Sequence, residues 1–101
     1  MSLRKDIRHI SKTCAYCGKD LLKFEDKTAD HIKPKSKGGK TKISNLVCCC
    51  KECNNKKKDT DISEWLSDNE IKRNFIKYLF RMKGFRKGYI NAVFTKIREV
   101  I

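Results

Sequence analysis

Few residues in this sequence break or bend a chain. One proline and five glycines are spread over 101 residues, and no Pro- or Ser-rich stretch or internal repeat divides them. A string of domains on flexible linkers is thereby excluded, leaving one small domain or a compact module with a terminal extension. Long apolar runs are missing too. The opening MSLRKDIRHI holds no apolar core of signal-peptide length, and no window approaches the roughly 20 apolar residues of a membrane span. A cytoplasmic setting is therefore expected. Acids are also scarce: 12 Asp and Glu face 25 Lys and Arg, for a net charge of +13. Between residues 31 and 58 the imbalance is sharpest, with nine lysines against one acid, Glu52. The next 43 residues hold nine basic and six acidic groups. A solvated face is the plain reading of such a run. Beside a candidate metal site it points to a polyanion, nucleic acid above all. An anionic membrane surface fits less well, because these lysines fall in a glycine-bearing loop and not along an amphipathic helix.

Cysteine, by contrast, is abundant. A chain of this length buries only about 60–65% of its unfolded surface, so its core alone gives marginal stability and some fastener is expected. Six cysteines supply the candidate. Cys14-x2-Cys17 and Cys50-x2-Cys53 are two close pairs, with Cys48 and Cys49 directly before the second. Reduced thiols bind metals more often than they cross-link, and three cysteines in a row are awkward partners for disulfides. Two C-x2-C knuckles are a common way to place four thiolates about 2.3 Å from one Zn2+. Gly18, just after Cys17, can take the positive φ that such a turn often needs. Cys14, Cys17, Cys50 and Cys53 are thus the expected ligands of a structural Zn2+ with no open coordination position. Cys48 and Cys49 compete on paper, but NLVCCC reads better as a buried strand in which they are small apolar fillers. The 32 residues between the pairs must then form a substructure of their own.

Three segments follow: a basic N-terminal lead over 1–13 with about one helical turn, a core over 14–60, and a helical extension over 61–101. Short strands are expected at 22–24, 28–32 and 46–49, and a short helix from Lys51 through NNKKK. Lys33-Pro34 favours extended backbone after the second strand, and Gly38-Gly39 marks a turn. Asp61 or Thr60 caps ISEWLSDN, with Glu64 in a capping-box-like position. Ile71, Phe75, Leu79 and Met82 recur at helical spacing, with Ile76, Tyr78 and Phe80 broadening the apolar face. Ile90, Val93, Phe94, Ile97 and Ile101 form a last stripe. Such faces are packing surfaces first, and they fit a homodimer or a protein partner as well as an internal core.

Between the cysteine pairs lies TADHIKPKSKGGKTKISNL. Asp30 and His31 are consecutive, so on a strand they point to opposite faces. Singly, each polar residue here has an ordinary explanation: Asn45 caps a turn, Asn54 caps a helix, and His31 is a loop residue, as His9 is in the basic lead. Together they form an ordered pattern. The chain reads CAYC, DHIKPKSKGG, NL and CKECNNKK over residues 14–58, nearly half its length, and this resembles the zinc-stapled branch of the HNH endonuclease family.

That resemblance implies a small α+β fold of the ββα-metal type, in which a hairpin and one helix hold a divalent ion. It implies that His31 is the general base activating water, that Asp30 and Asn54 ligate the catalytic ion, and that Asn45 holds the loop and orients His31. Asn54 stands where the family often has histidine, an HNN variant that favours Mg2+ or Mn2+ over a softer ion. Asn55 beside it leaves that ligand assignment open. The chemistry agrees. Histidine can take a proton from water near neutral pH, and a carboxylate with an amide oxygen suits a hard cation. With one acidic ligand in view, a one-metal mechanism is expected. Lys33, Lys35, Lys37, Lys40, Lys42 and Lys57 are the expected contacts to the DNA backbone, holding phosphate without reading sequence. The expected activity is hydrolysis of DNA phosphodiester bonds, double-stranded DNA being the favoured substrate. A non-catalytic zinc-ribbon module that binds nucleic acid is the alternative, and a protein adaptor using the helical tail is a third.

Overall fold

The computed structural model describes residues 3–82. Helix α1 spans Leu3–Ile10 and buries Ile7. The N-terminal lead is therefore two turns of helix instead of one: Leu3, Ile7 and Ile10 stand at helical spacing, and the fully buried Ile7 anchors the face between them. The expected strand at 22–24 does not form. Leu22 is 91% exposed, with nothing to pack against, and Phe24–Asp26 is a single 3-10 turn. Only an isolated bridge between Thr13 and Asp20 remains of a sheet in this region among the described residues.

The two other strands form close to the expected bounds. β1 (Lys27–His31) and β2 (Leu46–Cys50) pair antiparallel, with Ala29 opposite Cys48 and His31 opposite Leu46. All five residues of β2 are buried, as a continuous apolar run predicts for a strand covered on both faces. The chain then enters α2 (Lys51–Lys57) directly, and the Sγ of Cys50 accepts the N–H of Cys53 at that helix's start. Hairpin and helix together make a ββα unit.

Between the strands, the loop is a compact ring. Pro34 takes extended backbone with ψ 146, and Lys35–Lys37 make a 3-10 turn ended by Gly38 at φ 89. Gly39 donates its N–H to the carbonyl of Pro34 at 2.9 Å. A Cβ at Gly39 would stand 1.8 Å from the carbonyl oxygen of Lys33, so no larger residue fits there. One glycine supplies the left-handed turn and the other the close approach.

Two helices complete the described chain. α3 is short, Ile62–Trp65, and Asp61 precedes it without a side-chain capping bond, so the capping box is not made. Asp68 caps α4 (Asn69–Arg81) instead, accepting from the N–H groups of Glu70 and Ile71. The helical stripe packs as expected at Phe75, Leu79 and Met82, and Tyr78 joins it; Ile76 and Phe80 stay exposed. One core holds Ile7 of α1, the buried face of β2, Ile62 and Leu66, and the inner face of α4. The last apolar stripe, Ile90 to Ile101, lies outside the described residues. No described helix is long and apolar enough to cross a membrane.

Candidate active site and metal centre

Four sulfurs converge where the N-terminal knuckle meets the β2–α2 junction. The Sγ atoms of Cys14, Cys17, Cys50 and Cys53 all lie within 4.8 Å of one another, and those of Cys17 and Cys50 are 3.9 Å apart. Backbone N–H groups point at them: Tyr16 and Cys17 donate to Cys14, and Cys53 donates to Cys50, each at 3.4 Å. Gly18 has φ 76, the left-handed turn that lets the first knuckle curl. Burial raises the Cys14 thiol, and burial with repulsion from the other sulfurs pushes Cys53 far above the ordinary thiol range. Hydrogen bonds outweigh burial at Cys50 and lower it. A divalent ion among the four would offset the burial and repulsion that raise Cys14 and Cys53. The cluster can hold a metal ion. Cys48 and Cys49 lie outside it; burial pushes Cys48 to about 11 and Cys49 higher still, so both remain thiols in the core.

Asp30 and His31 close strand β1 on opposite faces. Asp30 turns inward and is 5% exposed. Its Oδ2 accepts the hydroxyl of Tyr16 at 2.5 Å and lies 3.1 Å from the Nζ of Lys57. Burial raises its carboxyl above the usual range, against the lowering by Lys57 and Tyr16. Both contacts fall on Oδ2, so Oδ1 is the oxygen left to face an ion. Asn54 lies on α2 three residues before Lys57, hence one turn away on the same helix face. That face packs on β1, because the ammonium of Lys57 also donates to the carbonyl oxygens of His31 at 3.0 Å and Ile32 at 3.4 Å. Asn54 is half-buried there and Asn55 is exposed, which favours Asn54 as the inward amide. No hydrogen bond joins Asp30 to Asn54, but a carboxylate oxygen and an amide oxygen at one strand–helix junction are a donor pair that fits a hard divalent ion.

His31 turns outward and its Nε2 lies 2.8 Å from the hydroxyl of Thr41. Burial and Lys35 lower its pKa, against the pull of Asp30, so the neutral imidazole is favoured near pH 7. Asn45 is fully buried. Its amide closes the loop at both ends, accepting from Lys33 N–H at 2.9 Å and donating to Lys33 O at 3.1 Å and Lys40 O at 2.9 Å. It does not touch the His31 ring. Its carbonyl accepts the N–H of Ile32, next to His31, at 2.8 Å, and its amide holds Lys40, the neighbour of Thr41.

Lys57 requires a correction. As a wholly buried side chain held by Asp30, it has no face to offer a nucleic-acid backbone. Its place three residues after Asn54, on the helix face that packs on β1, dictates this. Lys33, Lys35, Lys37, Lys40 and Lys42 are exposed on the loop, with Lys37 also 3.1 Å from Asp61. Sequence reasoning missed a second basic surface. A cleft of about 650 Å³ is lined by Arg4, Lys5 and Arg8 of α1, by Lys27, Thr28 and Ala29 of β1, and by Lys51 and Asn54 of α2, with Glu25 as its one acid. The helical spacing of Leu3 and Ile7 was the available signal for α1. Nothing in the sequence announced that α1 would lie beside Asn54.

Residues 14–75 match the HNH endonuclease family. The chain belongs to that family. Over 59 residues it is 37% identical to the CRISPR-associated endonuclease Cas9 of Corynebacterium diphtheriae, spanning 57% of this chain and 5% of that protein. The crystal structure of the Type II-C Cas9 enzyme from Actinomyces naeslundii shares its fold, with a TM-score of 0.70 at 23% identity over 95% of this chain and 11% of that one. This HNH chain thus corresponds in length to a small part of either relative.

Proposed function

We propose that this HNH chain is a metal-dependent endonuclease module that hydrolyses phosphodiester bonds of duplex DNA, stapled by a structural zinc at Cys14, Cys17, Cys50 and Cys53. The observation that carries the reading is the β1–α2 junction. What supports it there is the pairing of Lys57 of α2 with Asp30 of β1, His31 as the last residue of that strand, and a cationic cleft that Asn54 lines with Thr28 and Ala29. Asp30 and Asn54 hold one Mg2+ or Mn2+ ion. When bound, that ion supplies charge stabilisation for the phosphoryl group and the leaving oxygen.

The chain's own groups do the rest. His31, neutral near pH 7, accepts a proton from the attacking water. With Nε2 held by Thr41, Nδ1 is the ring nitrogen left to take that proton. Asn45 keeps the loop carrying Thr41 closed, and Lys57 keeps the Asp30 carboxylate in place. Arg4 and Lys51 in the cleft, together with Lys33, Lys35, Lys40 and Lys42 on the loop, hold the phosphate backbone without selecting a base.

Conversion of supercoiled plasmid tests this. Nicked or linear product should form with Mg2+ or Mn2+ and not with EDTA, at unchanged zinc content. DNA binding with no cleavage under either ion would instead mark a non-catalytic zinc-ribbon module.

A further inference from the structure

Tyr16 belongs to both metal sites at once. It lies inside the first knuckle, between Cys14 and Cys17, and its N–H points at the sulfur of Cys14 at 3.4 Å. Its hydroxyl donates to Oδ2 of Asp30 at 2.5 Å. A carboxylate only accepts, so the phenol is the donor of that bond. The ring is fully buried and clamped from the far side of the molecule. It stacks on Phe75 with centroids 5.8 Å apart and meets Trp65 edge-on at 5.4 Å. Its carbonyl accepts the side-chain amide of Asn74 at 3.0 Å. Trp65 belongs to α3, and Phe75 and Asn74 to α4.

We propose that Tyr16 is a positioning residue that couples the four-cysteine centre and the α3–α4 pair to the catalytic ion through the Asp30 carboxylate. The proposal rests on Asp30 being an ion ligand. Two donors, Tyr16 and Lys57, share Oδ2, and together they fix the rotation of the carboxylate about its stem. Oδ1 is then the oxygen left for the ion. Lys57 alone leaves that rotation open, because an ammonium on a long stem attracts from many directions. The phenol on its packed ring does not. An ordered knuckle, with its ion bound, sets the backbone of Tyr16, so the structural centre reaches the reacting one through a single side chain. The same chain of contacts links α3 and α4 to the site.

The test is Tyr16→Phe, which keeps the ring and removes only the hydroxyl. Mn2+ affinity is read by the electron paramagnetic resonance of free Mn2+, on zinc-loaded protein without DNA. Outer-shell partners of metal ligands are typically worth a factor of about 10–100 in affinity, and a loss in that range is expected. Zinc stoichiometry and DNA affinity in the absence of Mn2+ should stay at wild-type values. The Mn2+ concentration for half-maximal cleavage should rise by the same factor. Wild-type Mn2+ affinity in Tyr16→Phe would overturn the coupling, since a merely structural tyrosine lowers the melting temperature and nothing else. Asp30→Asn separates the two ideas. Loss of Mn2+ binding there with none in Tyr16→Phe refutes Tyr16 alone, and no loss in either refutes the reading of Asp30 too. Should Tyr16→Phe not fold, Asn74→Ala decides: it frees the Tyr16 carbonyl, and weakened Mn2+ binding supports the coupling while unchanged binding overturns it.

Discussion

Lys57 and Asp30 form a buried ion pair, Nζ to Oδ2 at 3.1 Å, with side chains 0% and 6% exposed. Removing one partner of such a pair leaves an uncompensated charge in the core, at a cost of roughly 3–5 kcal/mol. Lys57→Met is therefore expected to lose several kcal/mol of stability in urea unfolding. The double variant Asp30→Asn, Lys57→Met should recover much of that loss. A Lys57→Met protein as stable as wild type would show that the pair is not desolvated in solution.

The same pair dictates how Lys57 differs from the loop lysines. For a duplex, the logarithm of affinity falls with the logarithm of salt with a slope near 0.9 per phosphate contact. Lys51→Met and Arg4→Ala in the cleft, or Lys35→Ala on the loop, should each weaken binding and reduce that slope by about one contact. Conservative replacement of Lys57 should leave the slope alone. An unchanged slope in every cleft and loop variant would remove these surfaces from the interface.

Asn45 offers a sharper structural test. Its amide makes three hydrogen bonds to the backbone of Lys33 and Lys40 while wholly buried. Asn45→Ala leaves those groups without their partner, and each orphaned group costs about 1–3 kcal/mol. The Lys33 amide should exchange its hydrogen much faster, and cleavage should fall because the loop carrying Thr41 loosens. Retained protection at Lys33 would mean that the loop closes without Asn45.

The cysteine assignment is checked by metal content. Cys14→Ser or Cys53→Ser should lower zinc stoichiometry and melting temperature together, whereas Cys48→Ala should cost stability through packing alone. Zinc lost from Cys48→Ala and retained in Cys14→Ser would reverse the ligand set.

What could be read from the sequence was whatever is carried by spacing. The knuckles have their C-x2-C spacing, the strand at Leu46 to Cys50 is a continuous apolar run, and the stripe through Phe75 and Leu79 repeats at the helical period. The missed features are tertiary. Whether Lys57 faces solvent or the core depends on which side of α2 lies on β1, and five consecutive polar residues do not reveal it. Tyr16 sits at one of the two positions between the knuckle cysteines, and only folding brings it to Asp30. Leu22 to Phe24 has strand composition, yet no neighbouring strand arrives to pair with it.

His31 carries the central claim, and single-turnover cleavage by His31→Ala tests it most directly. The assay uses saturating Mg2+ or Mn2+ and a labelled duplex, with binding measured separately in the absence of divalent ion. The imidazole is exposed enough that its loss spares the core, so melting temperature and DNA affinity should stay near wild type. Removal of a general base is expected to slow cleavage by a factor on the order of 10²–10⁴. Cleavage by His31→Ala at the wild-type rate would contradict the account.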